Sequence, residues 1–513
     1  MKKNYILFIV SSIVAILFFY FFIPDKQINK NSNKYKHNND SEYIDISNNK
    51  NSNYDVELQH DDEIIIESDI YKAIFTRKGA SIIKWSIKEK NGSWTNLVLS
   101  KSLPFMSVFS EKEYKIIGLS KDLISFEYTS EDGWKIKKTY NLSNGYMHNL
   151  NIAIEKNTDV IMPQIKLNFG SALSIYDFVE KKSSYETKVI GYDIEKTKKI
   201  KKFKNYSDFA SFYKWIAVDS RYFIAAIIPE QPEDFYKIEL VRENKKIIQN
   251  ANLSILIPNN ITKKEYSINF YLGPKDYFYL KSYNLELEKS IDFGYLGFFV
   301  RFILKTLIFF NRIIGNYGWS IIIITIIIQI LVLPLTLKSS KSISDMKRIQ
   351  PIIKSVQEKY KNDSKRLQIE LLNIYRSQKV NPLGGCLPMI LQLPIFWAFF
   401  TMLRNSYEIR NEGWILWIKD LSLPDRFIHL SFFDFNLLPL LMGIGMFFQQ
   451  KMTTSAISDS TQKRMLYIMP IIFTVMFWSF PSGLIIYWII NNIFTICEQY
   501  FISKKESIKF KKI

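Results

Sequence analysis

Gln329 stands near the middle of Trp319–Leu337, a run of 19 residues that is otherwise almost wholly apolar. Late in the chain a second apolar run, Leu484–Phe501, carries Tyr487, Asn491 and Thr495. Those residues are spaced four apart and so share one helical face. Their amides and hydroxyls donate and accept hydrogen bonds without changing charge near neutral pH. In lipid a polar side chain is expensive, so it turns inward toward other helices or a water-filled cavity. A polar stripe with no ionisable partner points to a wet recess rather than to a proton relay. The plainer alternative for each residue is helix–helix glue, at about 0.6 kcal/mol per hydrogen bond.

The elements that must hold such a recess are legible as apolar segments: Trp319–Leu337, Leu387–Leu403, Leu437–Phe448 with fringes, Met465–Phe480 and Leu484–Phe501. A further run, Tyr5–Ile23, follows Lys2 and Lys3, is longer than a typical signal-peptide core and has no small-residue cleavage site after it. Residues 1–23 are therefore expected to be an uncleaved anchor. That makes six transmembrane helices, with both termini in the cytoplasm. The charges agree with this arrangement. Loop Lys338–Cys386 holds 11 Lys/Arg against 4 Asp/Glu, and the tail after Phe501 adds five lysines. The opposite loop, Ile409–Phe435, has only Arg410, Lys419 and Arg426. Met465–Phe480 has 16 residues, several ångströms short of a ~30 Å hydrocarbon core, which favours local thinning of the bilayer.

Between the anchor and the core the pattern changes twice. Residues 24–60 are rich in Asn, Lys, Ser and Asp and read as a disordered linker. Residues 61–290 carry short β-rich segments, among them Ile64–Ile66, Ala73–Thr76, Ile82–Ile87, Trp134–Tyr140, Leu150–Ile154 and Tyr266–Tyr271. Turn signals at Asn91-Gly92, Asp132-Gly133 and Asn144-Gly145 separate them. An all-β, sandwich-like domain is expected, placed outside the cytoplasm by the anchor before it.

Residues 291–315 read as a helix with Arg301, Lys305 and Arg312 on one face, an amphipathic pattern expected to lie in the membrane interface. Residues 316–502 form a five-helix core. Within it, 338–380 reads as a cytoplasmic helical hairpin, with helices over Ser342–Tyr360 and Lys365–Gln378 and cap chemistry at Asn362-Asp363-Ser364. The hairpin is either a solvated basic spacer or a docking arm for chains arriving from the ribosome. Residues 503–513 are a basic cytoplasmic tail.

Composition excludes several classes. The net charge of +19 is concentrated beside apolar segments, which fits the positive-inside rule better than nucleic-acid binding. Cys386 and Cys497 form neither a disulfide framework nor a zinc motif. All four histidines lie outside the apolar segments, so no metal, cofactor or histidine relay is expected in the membrane. There is no P-loop, and hence no nucleotide.

One series of blocks resembles the YidC/Oxa/Alb membrane-protein insertases. It runs through Gly318-Trp319-Ser320-Ile321-Ile322, Pro334-Leu335-Thr336 and Lys379-Val380-Asn381-Pro382-Leu383-Gly384-Gly385-Cys386. It continues through Gln392-Leu393-Pro394-Ile395-Phe396, Leu416-Trp417-Ile418, and Phe447-Phe448 to Lys451-Met452, and closes on Phe480-Pro481-Ser482-Gly483-Leu484 and Tyr487. The preceding domain is similar, by position and by Leu272-Gly273-Pro274-Lys275, to the β-supersandwich periplasmic domain of Gram-negative members. The resemblance implies a multi-domain inner-membrane protein, not an enzyme. Its five-helix core would enclose a hydrophilic groove that receives polar segments of nascent membrane proteins. It further implies association with the Sec translocon, with ribosomes through the basic hairpin and tail, and with membrane lipids.

Thr325 and Trp488 match substrate-contacting positions of the family, the latter commonly a tyrosine. Gln392, Asn491, Asn492 and Thr495 join them from their helix faces. Gln329 occupies the position where family members generally carry an arginine, so a groove working by hydration and hydrogen bonding is expected here. The competing readings are a transporter or channel, against which stands the lack of mid-depth ionisable groups and repeats, and a membrane-anchored carbohydrate binder built on the β domain.

Overall fold

Strand Lys135–Asn141 alternates strictly between buried and half-buried side chains, and beside it Met147–Glu155 alternates between buried and half-buried or exposed ones. This is the period-2 pattern of a sheet with one covered face. The computed structural model describes residues 58–60, 63–99, 104–157, 160, 162–168, 188–193, 200–202, 207–209, 213–244, 247–255, 262–378, 380, 387–430, 433–454 and 460–510. The expected anchor, the linker up to residue 57, Cys386 and residues 511–513 lie outside them. The chain divides between Asp292 and Phe293 into two compact units.

Among the described residues the first unit is built on three antiparallel sheets. A five-stranded meander runs Leu58–His60, Glu63–Glu67, Tyr71–Thr76, Ser81–Lys88 and Trp94–Leu99. Its first strand takes up the last residues of the expected linker, because Leu58 pairs with Ile64. A nine-stranded sheet has at its centre Phe223–Pro229, Lys263–Pro274 and Met147–Glu155. A four-stranded sheet ends on Lys166–Asn168. The segment 105–107 joins the two smaller sheets. Phe105 exchanges both backbone bonds with Ile82 (2.9 and 2.8 Å), and the Met106 N–H donates to the Asn168 carbonyl (2.6 Å). Aromatic packing closes the sandwich. Tyr71 stacks on Trp85 at 4.7 Å, and both rings meet His148 of the nine-stranded sheet. Burial in this cluster pushes the His148 imidazole down to about 3.

Lys138 faces inward between Ile136 and Tyr140 and is fully buried. Its ammonium donates to the carbonyls of Gly79 (3.1 Å), Ala80 (2.6 Å) and Met106 (2.6 Å). A buried cation is tolerated only when its donors are satisfied. Here they tie two turns of one face to the strand opposite. The block Leu272-Gly273-Pro274-Lys275 is structural in the same way. A Cβ on Gly273 would lie 2.7 Å from the Tyr146 ring. Lys275 forms a buried ion pair with Asp219 at 2.7 Å. A short helix, α1 (Tyr277–Ser282), follows, capped by the Asp276 side chain.

The second unit is helical: α2 (Gly297–Ile314), α3 (Tyr317–Lys359), α4 (Ser364–Ser377), α5 (Leu387–Asn405), α6 (Leu437–Thr454), α7 (Ser460–Met476) and α8 (Ser482–Phe510). Helix α2 packs on α3 and α5 through Val300, Ile303, Leu304 and Leu307. Arg301 and Lys305 are half-buried on its flank, and Arg312 is exposed. Helix α3 is one continuous helix of 43 residues that includes Pro334 and Pro351. The first arm of the expected hairpin is therefore an extension of the first core helix. Neither Gly nor Asn, the residues that favour a left-handed C-terminal cap, stands at Leu337-Lys338-Ser339-Ser340 to end it. Asp363 caps α4, its side chain accepting from the Arg366 N–H at 3.0 Å. Ile349, Ile353 and Val380 form the hairpin's core. Helix α8 likewise runs on into the segment read as a tail. Among the described residues Tyr317–Leu337, 21 residues long, is the one helix segment long and apolar enough by itself to cross a membrane, and Tyr467–Ser479 is a shorter apolar helix. The architecture is thus a large β-sandwich domain followed by a helical core.

Candidate substrate recess

Helices α3 and α8 pack side by side. The Gln329 Nε2 donates to Asn491 Oδ1 across their interface, and the two side chains are 7% and 2% exposed. Thr325 lies one turn before Gln329 on the same face and is fully buried. Its hydroxyl donates to the Ile321 carbonyl at 2.7 Å, and that of Thr495 donates to the Asn491 carbonyl at 2.9 Å. Each threonine is thereby satisfied by its own helix. The polar wall between α3 and α8 is one amide pair flanked by two hydroxyls.

The other sequence-derived residues fall into two groups. Tyr487, on the Asn491 stripe, stacks against Phe399 of α5 at 4.5 Å. Its buried hydroxyl interacts with the Gln392 side chain without a hydrogen bond of ordinary geometry. Trp488 and Asn492 lie on the adjacent stripe and turn away from Gln329. The Trp488 ring sits among Phe396, Phe473 and Phe477 at 5.2–5.9 Å. Asn492 donates to the Met442 carbonyl of α6 at 3.4 Å. The fold brings Thr325, Gln329, Asn491 and Thr495 together, sets Tyr487 and Gln392 beside them, and gives Trp488 and Asn492 to the packing of α5, α6 and α7.

Residues 406–430 and 433–436 pack against one end of this bundle, and none of them is a polar group within an apolar run. A Cβ on Gly318 would fall 2.2 Å from the Trp414 ring, so the start of α3 is pressed against that loop. The backbone N–H groups of Ser482 and Gly483 donate to the carbonyls of Leu423 (2.7 Å) and Leu421 (3.0 Å). Asp425 is buried, and its Oδ2 accepts from Trp417 Nε1 (3.1 Å), the Leu437 N–H (2.9 Å) and the Leu438 N–H (3.1 Å), capping α6. The Asn436 side chain donates to the Trp478 carbonyl at 2.6 Å. The one sequence signal for this cap is an acid ahead of an apolar helix. Twelve residues separate Asp425 from Leu437, too far for the usual N-cap pattern.

Residues 309–509 match the family model described as 60Kd inner membrane protein, and residues 100–306 match that of the YidC periplasmic domain. The membrane protein insertase YidC of Endomicrobium trichonymphae is 52% identical, with 100% of each chain covered. The chain belongs to the YidC membrane protein insertase family. The YidC of Syntrophus aciditrophicus is 35% identical over 87% of this chain and 86% of its own. A crystal structure of an active YidC insertase with its first transmembrane domain resolved covers 87% of this chain and 94% of its own, at 17% identity and a TM-score of 0.41. In this YidC-family chain the sequence blocks have a physical reading. Gly318, Trp417, Ser482 and Gly483 meet the segment before α6, while Gln329 and Asn491 bond between α3 and α8.

Proposed function

We propose that this chain inserts nascent membrane proteins into the bacterial inner membrane by admitting their polar segments to the α3–α8 recess. The observation that carries the reading is the Gln329–Asn491 amide pair, buried between α3 and α8. Polar walls lower the cost of bringing an unpaired polar chain partway into the bilayer. The closed 406–436 end favours entry from the opposite side, where the basic hairpin and the end of α8 lie. We further propose six transmembrane helices, both termini in the cytoplasm and the β domain in the periplasm. Short spans and the Arg301, Lys305 and Arg312 flank of α2 engage lipid. The hairpin receives chains from the ribosome, and the core works alone or beside the Sec translocon. The process makes and breaks no covalent bond and consumes no nucleotide.

The test is insertion of a short single-span client into vesicles holding only this purified protein. Wild type is expected to insert it well above empty vesicles, Gln329→Leu to lose most of the activity, and Gln329→Arg to retain it. Wild-type vesicles no better than empty ones, with rescue by Gln329→Arg, would mean that the chain works only beside a partner. No insertion by any variant would overturn the reading.

A further inference from the structure

The polar wall between α3 and α8 is uncharged, and its reactive face is a pair of carboxamides. A carboxamide carries the same donor and acceptor groups as a peptide bond. The bond of the pair runs from Gln329 Nε2 to Asn491 Oδ1, so Gln329 Oε1 and Asn491 Nδ2 take no part in it. These are one acceptor and one donor on opposite helices. The neighbouring hydroxyls of Thr325 and Thr495 are committed to their own helix carbonyls. The pair is buried between the two helices, so a chain entering there has to replace the Gln329–Asn491 bond.

We infer that Gln329 and Asn491 form an amide latch that recognises the peptide backbone of an entering client rather than the charge of its side chains. The inference rests on the insertase reading above. At rest one N–H of Gln329 is held by the oxygen of Asn491. On entry, a client C=O takes the Gln329 or Asn491 N–H, and a client N–H takes Gln329 Oε1 or Asn491 Oδ1. Hydrogen bonds are exchanged rather than lost, which keeps the barrier low in a medium where an unpaired amide is costly. A charged client side chain finds no counterion on this wall. The latch therefore sets specificity for extended, unpaired backbone and makes the recess indifferent to the sign of the tail's charge.

The experiment uses synthetic clients with one apolar span of about 20 residues and a Gly/Ser tail free of Asn and Gln, with protease protection of the tail as readout. Tails carry two Asp, two extra Ser or two Lys, and each exists with ordinary amides or with alternate backbone amides replaced by esters. Every value is taken relative to empty vesicles. Wild-type protein is expected to insert the three amide tails within about threefold of one another, and ester tails about three- to tenfold less well. The Gln329→Leu/Asn491→Leu protein should insert all tails equally poorly, and the swapped Gln329→Asn/Asn491→Gln protein should regain the amide-over-ester preference. A tenfold preference of wild type for the Asp tail, or equal insertion of ester and amide tails, would overturn the latch and leave the insertase reading standing. Wild-type vesicles no better than empty ones with every tail would overturn both.

Discussion

Gln329 and Asn491 are 162 residues apart in the chain and hydrogen-bonded in the fold. Their bond joins the first and last helices of the core at the level where the first is most apolar. A double-mutant cycle with Gln329→Leu and Asn491→Leu should give a coupling near 0.6 kcal/mol, with about 1.7 as a ceiling, because interhelical hydrogen bonds in membranes are individually modest. Thermal unfolding of the four proteins in detergent measures it. Strict additivity would mean that the two side chains act independently.

Gly318 is required by close approach. Its missing Cβ makes room for the Trp414 ring, which would stand 2.2 Å away. Gly318→Ala should destabilise the core by about 1–3 kcal/mol through overpacking. Adding Trp414→Ala should recover part of that loss. A neutral Gly318→Ala would show that the start of α3 does not need to meet the loop this closely.

Asp425 caps α6 from a distant loop, with its carboxylate taking two helix N–H groups and the Trp417 indole. Asp425→Ala should cost about 2 kcal/mol, the upper end for a lost cap, since the indole also loses its acceptor. Asp425→Asn should cost less because it keeps an acceptor. Unfolding midpoints, with Trp fluorescence as the local probe, check the order.

His148 makes the β domain sensitive to acid. Its folded value, lowered by burial to about 3, lies below the ordinary 6.5. The folded state therefore binds fewer protons than the unfolded chain. The stability this group contributes is full above pH 6.5 and is lost as pH falls toward about 3, at up to about 1.4 kcal/mol per pH unit. Comparing denaturant unfolding of wild type and His148→Gln across that range isolates the effect. The difference between them should shrink steadily with acid, and a constant difference would refute the assignment.

The features readable along the chain were local. Alternation at Lys135–Asn141, Gly92 and Gly133 at positive φ, and the Asp363 cap depend on neighbours within a few residues, so pattern and turn chemistry found them. The polar positions between α3 and α8 were legible for the same reason, since an amide in an apolar run is conspicuous wherever it packs. Which polar groups meet depends on how the helices pack. Helical spacing placed Tyr487, Asn491 and Thr495 on one stripe, but it could not say that Asn491 bonds to Gln329 or that Trp488 and Asn492 serve other helices. Lys138 reads as a surface lysine until the carbonyls of Gly79, Ala80 and Met106 arrive to hold its charge in the core. Asp425 reads as a loop acid until α6 begins above it. In each case the deciding energy comes from a partner far away in the chain, and a side chain's periodicity carries no record of a partner that only folding brings to it.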